Sequence, residues 1–181
     1  MTLECWVYIN AYPNNDIVMI AGKEDTSVHQ YQLALCNYQG RWCYQPLIVV
    51  PGGFACFPGT IAAQTGTWTH LAMTYDGTAL RLYVDGVADR STGATGAITS
   101  TTDPFRIGGY GTGPWTMNGR VDELSLYSRA LSPGEIKSIS DAGSAGKGNP
   151  GSCTTLPANA VGWWPGDGNT SDLAKGNTAH S

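Results

Sequence analysis

Charge is what this chain has least of. Lys, Arg, Asp and Glu together make up 13% of the residues, the net charge is −4, and no basic run occurs anywhere. A phosphate backbone or an anionic lipid surface needs a cationic patch, so no nucleic-acid partner is expected. No stretch of about 18 apolar residues occurs, which excludes a membrane-spanning helix by sequence. The opening "MTLECWVYIN" lacks the basic start and apolar stretch of a signal peptide and reads as a strand already under way. Five cysteines are present, Cys5, Cys36, Cys43, Cys56 and Cys153, but no C-x-x-C pair, which argues against a structural zinc site. The odd count leaves at least one thiol outside any internal disulfide, and cysteine usage suggests an oxidising compartment. Neither H-E-x-x-H nor a nucleophile elbow is found.

What is present is β-forming. Hydrophobic residues reach 41% and glycine numbers 24, a composition that suits many short strands and turns and is too apolar for disorder. In "LECWVYI", Leu3, Cys5, Val7 and Ile9 alternate with Glu4, Trp6 and Tyr8, the period-2 pattern of a half-buried strand. "YQLALCNYQGRWCY" reads as a hairpin. A turn at Gln39-Gly40 would set Cys36 opposite Cys43, within disulfide reach, and place Leu33, Leu35, Trp42 and Tyr44 on one face. In "WTHLAMTYDGTALRLYVDG", Asp76-Gly77 is a strong hairpin signal. It puts Leu71, Met73, Tyr75, Leu80, Leu82 and Val84 on a core face and Trp68, His70, Ala72, Thr74, Arg81 and Tyr83 on the other. "DIVMIAG", "PFRIGGYG" and "GRVDELSLYSRAL" supply further strands; in the last, Asp122, Leu124 and Leu126 alternate onto one predicted core face. One helix is predicted near 133–142, with Ser132 as N-cap, Pro133 at the first helical position, Glu135 completing a capping box, and Gly143 as a stop. The Gly/Ser-rich stretch 143–156 reads as a linker. The predicted class is all-β: a two-sheet antiparallel β-sandwich of jelly-roll type with one short helix.

The long motifs "TWTHLAMTYDGTALRLYVDGVADRST" and "MNGRVDELSLYSRALSPGEI" resemble the laminin-G-like domain of the concanavalin A-like lectin/glucanase superfamily, over roughly residues 1–140. The resemblance implies a jelly-roll sandwich, secreted multidomain architecture, glycan or protein ligands, and often a structural calcium. It also bears on "VGWWPGDGNTSDL", residues 161–173, which looks like the opening of another such domain. The expected organisation is therefore a sandwich over 1–142, a linker over 143–156, and an opening segment of a further repeat over 157–181. That tail is expected to dock on its own sandwich or on a neighbour's, with at least one of Trp163 and Trp164 buried.

Several site residues are expected. Asp122, on the predicted core face, needs hydrogen bonds or a cation. The resemblance implies calcium near this strand, and Asp172 and Asn177 in the tail complete the predicted metal set; the alternative is an exposed strand-start aspartate bonded to turn amides. Trp68, His70, Arg81 and Tyr83 line the non-core face of the hairpin, where rings can stack on sugar faces and His and Arg can bond hydroxyls. Alternatively that face is covered, and the resemblance assigns His70 and Trp68 to folding. Tyr110 and Trp115 stand on a Gly-rich loop, whose G-x-G spacing is no phosphate cradle because no helix follows. Trp6 and Tyr8 form a third candidate surface, whereas Trp42 and Tyr44 suit the core. The glucanases of the superfamily carry alternating acidic residues on one strand, so that two carboxylates flank the scissile bond; no such E-x-D-x-E motif occurs. The expected function is a non-catalytic carbohydrate-binding or adhesive module, secreted or at the cell surface, with a polysaccharide partner. Two alternatives stay open: a glycan-degrading hydrolase or lyase on the same fold, and a structural module self-associating through exchange of residues 157–181.

Overall fold

The computed structural model describes residues 1–24, 29–109, 115–143 and 157–164. In chain order the elements are β1 (Thr2–Ile9), β2 (Ile17–Glu24), β3 (His29–Tyr38), β4 (Arg41–Val50), β5 (Gly53–Cys56), β6 (Trp68–Tyr75), β7 (Ala79–Val84), β8 (Val87–Gly93), β9 (Phe105–Ile107), β10 (Gly119–Tyr127), α1 (Pro133–Ala142) and β11 (Ala160–Trp164). They form two antiparallel sheets, ordered β11-β10-β1-β6-β7-β8 and β5-β4-β3-β2-β9. This is a β-sandwich of the jelly-roll kind, with one helix.

Local chemistry accounts for the hairpins. Gln39 (φ 53°) and Gly40 (φ 80°) are both left-handed, which matches the turn twist to the strand twist. Pairing then runs outward from Tyr38–Arg41 and sets Cys36 opposite Cys43. Their sulfurs are 3.1 Å apart as thiols. The β6–β7 pairing starts at Tyr75–Leu80, so the four residues Asp76, Gly77, Thr78 and Ala79 make the connection, two more than an Asp76-Gly77 turn alone. There the Asp76 carboxylate accepts the amides of Thr78 and Ala79, both at 2.9 Å.

The core lies between the sheets. Leu3, Cys5, Val7 and Ile9 of β1 meet Leu71, Met73, Tyr75, Leu80, Leu82 and Val84 of the β6–β7 hairpin, with Leu33, Leu35 and Tyr44 from the second sheet. Burial of this many large apolar side chains, each worth about 1.5–3 kcal/mol, is what holds the sheets face to face.

One strand departs from its sequence pattern. In β10, Ser125 faces Glu4 but Asp122 faces Trp6, so two residues of β10, Glu123 and Leu124, span the one residue Cys5 of β1. Glu123 takes a left-handed φ of 51°. This is a β-bulge, and the extra residue shifts the alternation by one. Leu124 stays in the core, but Asp122 does not share its face as the alternation predicted. It stands on the outer face beside Trp6.

Helix α1 forms where its caps predict. The Ser132 side chain accepts the Glu135 amide, and the Glu135 side chain accepts the Ser132 amide, with Pro133 in the first turn. Its apolar side, Ile136 and Ile139, packs with Leu131 onto Ala72, Tyr83 and Tyr127. The helix therefore covers part of the outer face of the six-stranded sheet. At the edge of that sheet β11 pairs with β10, Leu124 facing Trp164 and Ser125 facing Trp163.

Candidate functional site

The outer face of the six-stranded sheet divides into a covered and an open region. Next to Tyr127, which packs against α1, lies a buried polar cluster. His70 Nε2 is 3.1 Å from Glu4 Oε2 with both side chains fully buried, and the Tyr127 hydroxyl donates to Glu4 Oε1 at 3.3 Å. Burial, reinforced by the Glu4 charge, pushes the Tyr127 phenol well above its ordinary pKa, so it stays a donor. The His70 amide donates to Asp85 Oδ1 at 2.9 Å. A buried carboxylate tolerates such a site only with partners of this kind.

That cluster changes the picture of the predicted hairpin face. His70 and Tyr83 are buried, with Tyr83 under the helix, so neither faces solvent. Arg81 lies at the far end of the hairpin, opposite Thr74. This is about 20 Å from Trp68 at six residues of strand, and Arg81 is paired with Asp76 at 2.6 Å. Of the four predicted hairpin residues, only Trp68 stands on the open region.

The open region holds Trp6, Tyr8, Trp68, Arg120 and Asp122. Three strands bring them together: Tyr8 pairs with Trp68 on one side and with Arg120 on the other, and Trp6 pairs with His70 and Asp122. The Tyr8 and Trp68 rings meet edge to face at 5.5 Å. The Trp6 ring lies 5.4 Å from the His70 ring, so the open patch rests on the buried cluster. Arg120 Cζ sits 4.3 Å from the centre of the Tyr8 ring and 5.7 Å from that of Trp68. Trp68 is 40% exposed. Gly119 makes the strand approach feasible, since a Cβ there would sit 2.3 Å from the Tyr8 carbonyl oxygen. Sequence reasoning marked Trp6, Tyr8 and Trp68 but missed Arg120. Its signal was available in the neighbouring register, once β10 is paired with β1.

The other predicted residues lie apart. Trp115 is exposed just before the Gly109–Thr116 bridge. Tyr110, Asp172 and Asn177 fall outside the described residues, as does Cys153. Asp122 accepts the Glu123 amide at 2.8 Å. Among the described residues no three of His, Cys, Asp and Glu gather as a metal site, and two of the three predicted calcium ligands lie outside those residues. A rival concavity of 470 Å³ lies at the opposite end of the hairpin, lined by Met1, Tyr75, Asp76 and Arg129. Its charged groups are already engaged, Asp76 by Arg81 and Arg129 by Glu135.

Fold and face together define a jelly-roll module with an aromatic outer surface. A laminin G family model of the concanavalin A-like lectin/glucanases superfamily matches residues 1–137, and the chain belongs to that family. No curated protein matches its sequence significantly. Among solved structures it is similar to a protein of Bacteroides ovatus ATCC 8483 presumed to bind carbohydrate (TM-score 0.71, 19% identity), covering 96% of this chain and 49% of that one. It is also similar to domain 4 of a GH43 extracellular arabinanase from Geobacillus stearothermophilus, solved with arabinotriose (TM-score 0.53, 22% identity), covering 76% of this chain and 64% of that one. A third is Trypanosoma rangeli sialidase (TM-score 0.56, 24% identity), covering 77% of this chain and 22% of that one. The chain thus spans about half the length of the Bacteroides protein, and at these identities the likeness is one of fold.

Proposed function

We propose that this chain is a non-catalytic carbohydrate-binding module of a secreted or cell-surface multidomain protein, and that its binding face is Trp6, Tyr8 and Trp68. The observation that carries this is their adjacency on an outer sheet face clear of α1, with Trp68 40% exposed. Ring faces offer sugars a flat apolar platform, and a sheet holds that platform rigid. The Bacteroides and Geobacillus structures support the reading, since one is presumed to bind carbohydrate and the other was solved with arabinotriose.

Titration calorimetry across plant and microbial polysaccharides tests it. Trp68→Ala should lose binding while keeping the melting temperature within a few degrees. No heat with any glycan would reject the reading. The glycan-cleaving alternative needs two carboxyl groups flanking one bond, and on this sheet face Glu4 is fully buried. A second reading is self-association, in which a second copy supplies residues 157–181 to the sheet edge that β11 of the same chain occupies beside β10. Concentration-dependent sedimentation tests that. Calcium held by Asp122 with Asp172 and Asn177 is a separate proposal: a fall in melting temperature with EDTA supports it, and unchanged melting removes it.

A further inference from the structure

We infer that the glycan taken by this face carries carboxylate groups, as in a uronic-acid polysaccharide, and that Arg120 reads them. The inference rests on the carbohydrate-binding reading and adds the class of sugar. It starts from how the chain spends its cations. Arg81, Arg129 and Lys137 are paired with Asp76, Glu135 and Asp141. Lys23, Arg41 and Arg90 donate to backbone carbonyls of Thr101, of Thr60 and Gly59, and of Pro58. Arg106 makes no ion pair among the described residues but is half-buried on the second sheet, and Arg90 lies over Phe57; Arg120 differs from both in standing on the open aromatic face. It is exposed, makes no ion pair among the described residues, and rests against Tyr8 and Trp68.

A guanidinium on a ring spends its π face and keeps its in-plane N–H donors. Those donors form a planar fork that matches a carboxylate with two parallel hydrogen bonds. The rings also limit how far the long side chain wanders, so less freedom is lost on binding. A pyranose lying on Trp68 would present its ring substituents at the height of this fork. Two residues along the same strand face stands Asp122, whose Oδ1 accepts the Glu123 amide. The chain as a whole is acidic, at −4, so long-range attraction for an anion is absent and recognition must come from this local cation.

The test uses the full chain and three polysaccharides: polygalacturonate, the same polymer fully methyl-esterified, and neutral arabinan, with a sulfated galactan as a fourth arm. Polygalacturonate should bind about tenfold more tightly than its ester, the effect of a charge-assisted hydrogen bond. The preference should shrink in 0.5 M salt, where the screening length falls to about 4–5 Å. Arg120→Gln should erase it, and Arg120→Lys should restore only part of it, because the charge returns without the fork. Both variants are checked for unchanged melting. Equal affinity for acid and ester overturns the inference and leaves the binding reading standing. Tighter, Arg120-dependent binding of the sulfated arm overturns the carboxylate assignment. Binding of arabinan alone, or of none of the four, overturns the inference; silence across the wider polysaccharide panel overturns the binding reading as well.

Discussion

Replacing Trp163 and Trp164 by alanine tests whether β11 is an integral strand of the sandwich. Being consecutive in a strand, the two side chains point to opposite faces. Trp164 faces Leu124 and stacks on Phe105 of the second sheet, with ring centres 5.7 Å apart and planes 9° from parallel. It therefore bridges the two sheets at their open side. Full loss of a buried tryptophan costs about 3–5 kcal/mol; Trp164 is only half-buried, so about 2 kcal/mol is expected for Trp164→Ala. Trp163 donates its indole N–H to Glu123 Oε2 at 2.8 Å on a partly buried surface, and Trp163→Ala should cost about 1 kcal/mol. The pair should lower stability by roughly 3 kcal/mol, or about 6–12 °C in melting temperature for a chain of this size. Urea melts at several protein concentrations measure this, with Trp163→Phe as the control that keeps the ring and removes the donor. A double variant within about 0.5 kcal/mol of the parent would refute the reasoning and show that β11 adds nothing to the fold.

Three further outcomes are expected. Arg129 and the Ser132 amide hold the Glu135 carboxyl down to about 2 from an ordinary 4.5. Its contribution is thus complete above pH 4.5 and lost as pH falls through about 2; thermal melts of Glu135→Gln should show a weaker acid dependence in that window than the parent. His70→Ala would leave Glu4 buried without its imidazole partner and should cost about 3–5 kcal/mol by denaturant melt, whereas an exposed histidine would cost almost nothing. Oxidised glutathione should join Cys36 to Cys43, with loss of two hydrogens by mass spectrometry. The eight-residue loop predicts at most about 2.5 kcal/mol of stabilisation. The reaction should be slow, because burial pushes the Cys36 thiol up and leaves little thiolate. A Cys36→Ser variant that shows the same mass loss would sink the assignment.

Some of this protein was determined by sequence alone, wherever a short window holds all the relevant physics. Leu3, Cys5, Val7 and Ile9 reach the core because a strand alternates every two residues. Gln39-Gly40 sets the Cys36–Cys43 register because few residue pairs adopt two left-handed conformations. Ser132, Pro133 and Glu135 start α1 because their bonds close within one turn. Tertiary structure decided the rest. Asp122 reads as a core-face residue until pairing with β1 forces the bulge at Glu123, since a one-residue shift can be seen only against the neighbouring strand. Tyr83 reads as part of a solvent-facing platform until α1, which starts 50 residues later in the chain, packs onto it, and His70 does so until Glu4 and Trp6 of β1 close against it. Arg120 carries no local signal, and only the order of β10, β1 and β6 lays it across Tyr8 and Trp68. Period, turn and cap are properties of a few adjacent residues, whereas burial and partnership belong to surfaces assembled from distant ones. The candidate site lies on such a surface.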